Sequence, residues 1–121
     1  MHLTALKLKS FRNIKSAEII PCDGVNVIFG NNAQGKTNLM ESIFFCSGLG
    51  SFRGGKDGDL ISFGDEFLDV DADFFSGGRN RKIKITMSCD RKKIFLSNVP
   101  QKSFSGLCEH FRCVVFFPDD L

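Results

Sequence analysis

At 121 residues the chain is one domain or part of one, long enough to bury roughly two-thirds of its unfolded surface around a single core. Sixteen Lys and Arg against fourteen Asp and Glu leave a formal charge of +2, too small to imply a polyanionic partner by itself. Five scattered cysteines with no Cys-x-x-Cys argue against a disulfide frame or a zinc site. They suggest reduced, mostly buried thiols in a cytoplasmic protein, as does the lack of a signal peptide or an apolar run of membrane-spanning length.

Residues 3–9 alternate from Leu6 onward and predict a first strand; residues 17–20 predict a short second one, closed by a Pro21-Cys22-Asp23-Gly24 turn. Val25-Asn26-Val27-Ile28-Phe29 predicts a strand running into Gly30-Asn31-Asn32-Ala33-Gln34-Gly35-Lys36-Thr37. Residues 38–47 predict a helix leaving that loop, with Leu39, Met40, Ile43 and Phe44 at helical spacing and Gly48 as a stop. A glycine-rich stretch follows over residues 48–64, with a helical turn at Asp59-Leu60-Ile61-Ser62. Residues 67–75 and 79–89 predict a hairpin across Ser76-Gly77-Gly78. Asp69, Asp71 and Asp73 share one of its faces opposite Leu68, Val70, Ala72 and Phe74, while Lys82 and Lys84 oppose Ile83, Ile85 and Met87. Acidic against basic strands favours cross-strand pairing over a phosphate-contacting patch of Arg79, Arg81, Lys82 and Lys84. Arg91-Lys92-Lys93 has no such obvious partners and is the better DNA candidate. Residues 94–97 predict a strand, Asn98-Val99-Pro100 a turn, residues 103–110 a short helix and residues 112–117 a buried apolar strand.

Residues 30–37 fit the phosphate-loop pattern, Gly, four residues, Gly-Lys-Ser/Thr, in the strand–loop–helix context that the chemistry needs. Gly30 and Gly35 let backbone N–H groups curl toward phosphate oxygens, and the helix N-terminus adds partial positive charge. Lys36 would bridge the β- and γ-phosphates, and the Thr37 hydroxyl would ligate Mg²⁺.

That loop alone is shared by kinases, GTPases, helicases and ATP-binding-cassette proteins. The order Asn32, Gly35, Lys36, Thr37, Asn38 resembles the loop of SMC-like cassette ATPases. Phe11-Arg12-Asn13 resembles the Phe-Arg-Asn of the RecF family, and Ser51-Phe52-Arg53 the end of its Gly-Arg-Ser-Phe-Arg. Val114-Val115-Phe116-Phe117-Pro118-Asp119-Asp120-Leu121 is similar to the start of its Pro-Asp/Glu signature. The resemblance spans the chain and departs from the family at Ala33, usually Gly, and at Leu49-Gly50, usually Gly-Arg.

The resemblance implies an α/β fold, the N-terminal lobe of an ABC/SMC-like P-loop NTPase. Its mixed sheet would carry the loop and helix, with an antiparallel β portion around residues 67–97. It implies ATP and Mg²⁺ as cofactors, with Gly30, Asn31, Asn32, Ala33, Gln34, Gly35, Lys36, Thr37 and Asn38 around the nucleotide and Thr37 on the metal. Arg12 either reaches the nucleotide from the Phe-Arg-Asn turn or is a surface arginine following a core Phe11. The resemblance further implies binding of single-stranded and duplex DNA, an ATP-dependent homodimer, action with RecO and RecR, and delivery of RecA to single-strand gaps. Residues 1–121 would be a piece of the ATPase head cut before the cassette signature and Walker B motifs. They would hold nucleotide without turning it over, unless Asp119 and Asp120 are themselves a Walker B pair. The alternatives are another SMC-like ATPase, of the overcoming-lysogenisation-defect nuclease type, and a small P-loop kinase or GTPase. No Asn-Lys-x-Asp for guanine occurs.

Overall fold

Along the first strand, β1 (His2–Phe11), Leu6 and Leu8 are buried and Lys7 and Lys9 exposed, as period-two alternation requires. The structure, a computed structural model, describes residues 1–29, 33–51, 53 and 55–116. The further strands are β2 (Ile14–Ile19), β3 (Leu68–Ser76), β4 (Arg79–Met87), β5 (Lys92–Leu96) and β6 (Val99–Pro100). They form one six-stranded sheet in the order β2-β1-β3-β4-β5-β6, with every pairing antiparallel. One helix, α1 (Ala33–Phe45), and two short 3-10 turns, Asp57–Leu60 and Ser105–Glu109, complete the described elements. The class is α/β, and the antiparallel portion reaches well beyond residues 67–97, into β1 and β2.

The inner face of the sheet carries Leu6, Leu8, Leu68, Val70, Ala72, Phe74, Ile83, Ile85, Met87, Ile94 and Leu96, all buried. It packs against Phe45 and Cys46 at the end of α1, Leu60 and Ile61 after the first 3-10 turn, and Leu107 and Phe111 near the second. Phe74 and Phe111 meet edge to face, with ring centroids 5.2 Å apart. On the outer face the acidic strand β3 lies between two basic ones. Lys7 and Lys9 of β1 oppose Asp71 and Asp69, while Lys84 and Lys82 of β4 oppose Asp71 and Asp73. Lys82 Nζ lies 3.6 Å from Asp73 Oδ1, and the Thr86 hydroxyl donates to Asp69 at 2.7 Å. The expected Asp/Lys pairing is therefore present, and β1 doubles it.

Turn chemistry fixes the hairpin registers. Ser76 pairs with Arg79 across Gly77 and Gly78, whose φ values are +62° and +79°, the left-handed pair that a two-residue hairpin loop needs. The β5–β6 hairpin turns at Ser97 and Asn98 (φ +49° and +69°) and not at Asn98-Val99-Pro100, because Leu96 already pairs with Val99.

Further expectations are corrected. Residues 25–29 hold no strand pairing among the described residues, and Val25, Val27 and Phe29 are exposed. The apolar content of a buried strand is there, but a strand exists only through ladder partners. Residues 112–116 likewise form no strand, and Val114 and Phe116 are exposed. Arg81 does not join Lys82 on the outer face: it pairs with Phe74 on the inner one, its Nη2 is 3.3 Å from His110 Nδ1, and its guanidinium lies 6.0 Å over the Phe74 ring. Lys92 does have an acidic partner: its Nζ is 2.8 Å from Asp57 Oδ2 and 4.2 Å over the Phe104 ring. The thiols are not mostly buried as expected: of the five free cysteines only Cys46 is buried, Cys108 and Cys113 are half-buried, and Cys22 and Cys89 are exposed. Among the described residues no helix is long and apolar enough to cross a membrane.

Candidate nucleotide site

Helix α1 opens at Ala33, inside the phosphate-loop motif, earlier than the expected start at residue 38. Lys36 therefore closes its first turn and Thr37 follows. Its buried stripe is not the apolar one that the periodicity picks out. Asn38, Glu41, Ser42, Phe45 and Cys46, spaced at helical intervals, are the buried positions, while Leu39 and Ile43 are half-buried and Met40 exposed. Leu39, Met40 and Ile43 instead line an apolar cleft of about 740 Å³ with Ile19, Ile28 and Phe29.

The polar stripe of α1 grips the turn between β1 and β2. Arg12 Nε and Nη2 donate to Glu41 Oε1 and Oε2 at 2.5 and 3.0 Å, a two-pronged, charge-assisted contact to a fully buried carboxylate. One turn earlier on the helix, Asn38 Nδ2 donates to Asn13 Oδ1 at 2.6 Å. Two consecutive turn residues thus meet two helix residues three apart, which lie on one face. The Ser51 hydroxyl also donates to Glu41 Oε2, and Arg53 Nη1 stands 3.8 Å from Glu41 Oε1. This contact with Glu41 holds the Arg12 guanidinium above its ordinary pKa against the opposing effect of burial.

Arg12 adopts a left-handed backbone, φ +49°, two residues after Ser10 at φ +59°. Non-glycine residues hold such angles only where neighbours over-determine them. Here the Arg12 N–H donates to Leu60 O at 2.7 Å, the Ser62 hydroxyl donates to Arg12 O at 2.5 Å, and the Ser62 N–H donates to Ser10 O at 2.8 Å. The turn is sewn to residues 60–62 on one side and to α1 on the other.

Between these elements lies a cleft of about 1060 Å³, lined by Arg12, Asn13, Thr37, Asn38, Arg53 and Asp59 among others, in the size range of small-molecule sites. Thr37 is exposed and also lines a second cleft of about 300 Å³ beside Lys36. Asn38 is 4% exposed, and its Oδ1 has no hydrogen-bond partner among the described residues. Of the expected site residues, the structure thus brings Lys36, Thr37, Asn38 and Arg12 to one region. Gly35 lies in the first turn of α1. Ala33 and Gln34 are described by backbone alone, within that turn. Gly30, Asn31 and Asn32 lie outside the described residues, as do Phe52 of the Ser-Phe-Arg motif and Asp119 and Asp120. Arg12 follows a fully buried Phe11 but is no plain surface arginine, since it is partly buried and bound to Glu41. Glu41 escaped the sequence reading; its signal was its place four residues before Phe45 on what became the buried stripe.

The model of the AAA domain family matches residues 5–106. The DNA replication and repair protein RecF of Oenococcus oeni is 36% identical over the whole chain, and that of Acetivibrio thermocellus 34%. The chain spans about a third of the length of these relatives, 32% and 33% respectively. Two solved structures of the recombination mediator protein RecF in the RecFOR pathway, RecF-ATP and RecF-ATPrS, share 35% identity and superpose with TM-scores of 0.90 and 0.92. They cover 98% of this chain and 33% of their own. The SMC head domain from Thermotoga maritima, at 22% identity, has the same fold, with a TM-score of 0.73 over 93% of this chain and 43% of its own.

Proposed function

This chain belongs to the AAA domain family, and from that premise we propose that it is the nucleotide-binding part of a RecF-type DNA replication and repair protein. The observation that carries this reading is the position of Lys36. Lys36 sits in the first turn of α1, where its own charge and the positive end of the helix dipole both favour an anion such as phosphate. Lys36 and the backbone N–H groups at the start of α1 would hold the phosphates, and the Thr37 hydroxyl would take Mg²⁺. Bound Mg²⁺ neutralises phosphate charge. The donor set fits these ligands: Thr37 is exposed at the junction of two clefts, and Asn38 holds an orphaned amide oxygen at the wall of the larger one.

In this reading residues 1–121 are the N-terminal part of an ATPase head. DNA, an ATP-dependent second copy of the protein, and RecO- and RecR-type partners act on the whole molecule, of which this chain supplies the phosphate cradle. Two measurements test it. Titration with a fluorescent ATP analogue, with and without Mg²⁺, gives a Mg²⁺-dependent gain in affinity that Thr37→Ala removes; an equal gain in the variant excludes Thr37 as the metal ligand. For DNA, the Lys–Asp–Lys stripes of the outer sheet face set three aspartates among four lysines, which weakens their field. Lys82→Ala/Lys84→Ala therefore leaves the slope of log affinity against log salt unchanged for the whole protein. A drop of roughly one to two units would mean that both lysines contact phosphates.

A further inference from the structure

We propose that Glu41 is the positioning residue of the cleft. Its buried carboxylate aims the Arg12 guanidinium at the nucleotide and restrains Arg53 beside it. The inference rests on the nucleotide reading above and adds to it a residue that contacts no ligand itself.

Glu41 is fully buried in the middle of α1, and each of its oxygens faces two partners. Oε1 takes Arg12 Nε and stands near Arg53; Oε2 takes Arg12 Nη2 and the Ser51 hydroxyl. A buried ion pair is by itself weak evidence for stability, because a well-packed apolar pair often does as well. What a carboxylate does that an apolar side chain cannot is fix the plane and rotation of a guanidinium through two parallel hydrogen bonds.

The helix turns this into a positional constraint relative to the phosphate site. Glu41 lies four residues after Thr37 on the same rigid rod, roughly 6 Å along its axis. Whatever is pinned to Glu41 is therefore pinned relative to Thr37 and the helix start. Three of the five N–H donors of Arg12 have partners among the described residues: two on Glu41, and one Nη1 contact to Asp59 O at 3.4 Å. The other two belong to Nη1 and Nη2, on a residue that lines the large cleft with Thr37 and Asn38. Arg53, at 3.8 Å, is outside hydrogen-bond range of the carboxylate and only electrostatically tethered. One carboxylate thus serves two guanidinium groups from two loops, locking one and leaving the other loose at the cleft wall.

The test is Mg-ATP affinity, read with a fluorescent analogue, for Glu41→Gln, Arg12→Gln and the double variant, with thermal melting as the check on folding. Glutamine keeps the shape and the Ser51 contact but not the charged fork. Each single variant weakens binding about tenfold, and the double is no weaker than either alone, because Glu41 acts through Arg12. Unchanged affinity in a folded Glu41→Gln, or an equal loss in the Arg12→Gln background, overturns the proposal. Arg12→Lys covers the case where Glu41→Gln does not fold: it retains the ion pair but not the fork, so it keeps the melting temperature and loses affinity. Wild-type affinity in Arg12→Lys also overturns the proposal. Lys36→Ala separates the two readings. If it binds ATP normally, the nucleotide reading fails; if it loses ATP while the Glu41 and Arg12 variants do not, only the positioning role fails.

Discussion

Alanine at position 36 lowers the affinity for Mg-ATP by roughly two to four orders of magnitude. Charge-assisted hydrogen bonds to an ammonium contribute about 1.5–3 kcal/mol each, and a lysine bridging two phosphates makes two of them. The sum, about 3–6 kcal/mol, converts at about 1.4 kcal/mol per tenfold. In the unliganded protein the dipole and helix-propensity effects of the change are each about 1 kcal/mol or less and favour alanine. Ligand stabilisation of the folded state follows the ratio of ligand concentration to Kd, so the upward shift that ATP gives the wild type vanishes in the variant. A melt with and without Mg-ATP reads both signs in one experiment. A variant that keeps the ATP-induced shift would remove the phosphate-loop assignment, whereas one that melts early without ligand would show that Lys36 has a structural role instead.

Sequence alone was a good guide wherever structure is local. The β3–β4 hairpin is legible because alternation of Leu68, Val70, Ala72 and Phe74 with aspartates names its inner face and Gly77-Gly78 names its turn. Helix α1 is legible as an element, though it opens five residues before the expected start, but not in orientation. Leu39, Met40 and Ile43 form the more apolar stripe, yet the helix buries Asn38 and Glu41 against the β1–β2 turn, because Arg12 and Asn13 supply partners there. Those partners are 29 and 25 positions away, a separation that no periodicity reports. The same limit explains residues 25–29. Their composition describes a strand, but composition cannot supply the neighbouring ladder. Ser97-Asn98 is missed for a different reason: without glycine, two consecutive left-handed residues are uncommon. The family resemblance, by contrast, was carried by short motifs that sit where backbone or charge is unusual. Phe-Arg-Asn falls on the strained turn, and the phosphate loop runs into the first turn of α1.

Phe45→Ala costs about 3–5 kcal/mol of stability, the largest effect expected from a single truncation in α1. Phe45 is 0% exposed, with its ring centroid 6.0 Å from that of Phe11 on β1 and 5.0 Å from that of Phe104 after β6. It is the point at which the helix end, the first strand and the late loop meet. Gly48 completes the same socket: at φ +80° it approaches Phe104 so closely that a Cβ would lie 2.1 Å from the Phe104 carbonyl oxygen, and no side chain fits there. A cavity left by Phe45 therefore cannot collapse by sliding the helix inward without breaking that backbone contact, which puts the cost at the upper end of the range. For a domain of this size the melting temperature falls by roughly 10–25 °C. The consequence reaches the opposite end of the rod. α1 carries Lys36, Thr37 and Glu41, so a helix that is loose at Phe45 spends less time with Arg12 and the phosphate site in register. The apparent ATP affinity drops in proportion to the competent fraction. Met40→Ala, on the half-open apolar side of the same helix, costs only about 1 kcal/mol and leaves affinity unchanged. Urea unfolding of both variants, paired with the ATP titration, tests the argument. A Phe45→Ala protein that unfolds at the wild-type midpoint would mean that the polar grip of Glu41 and Asn38, and not the aromatic socket, is what fastens α1 to the sheet.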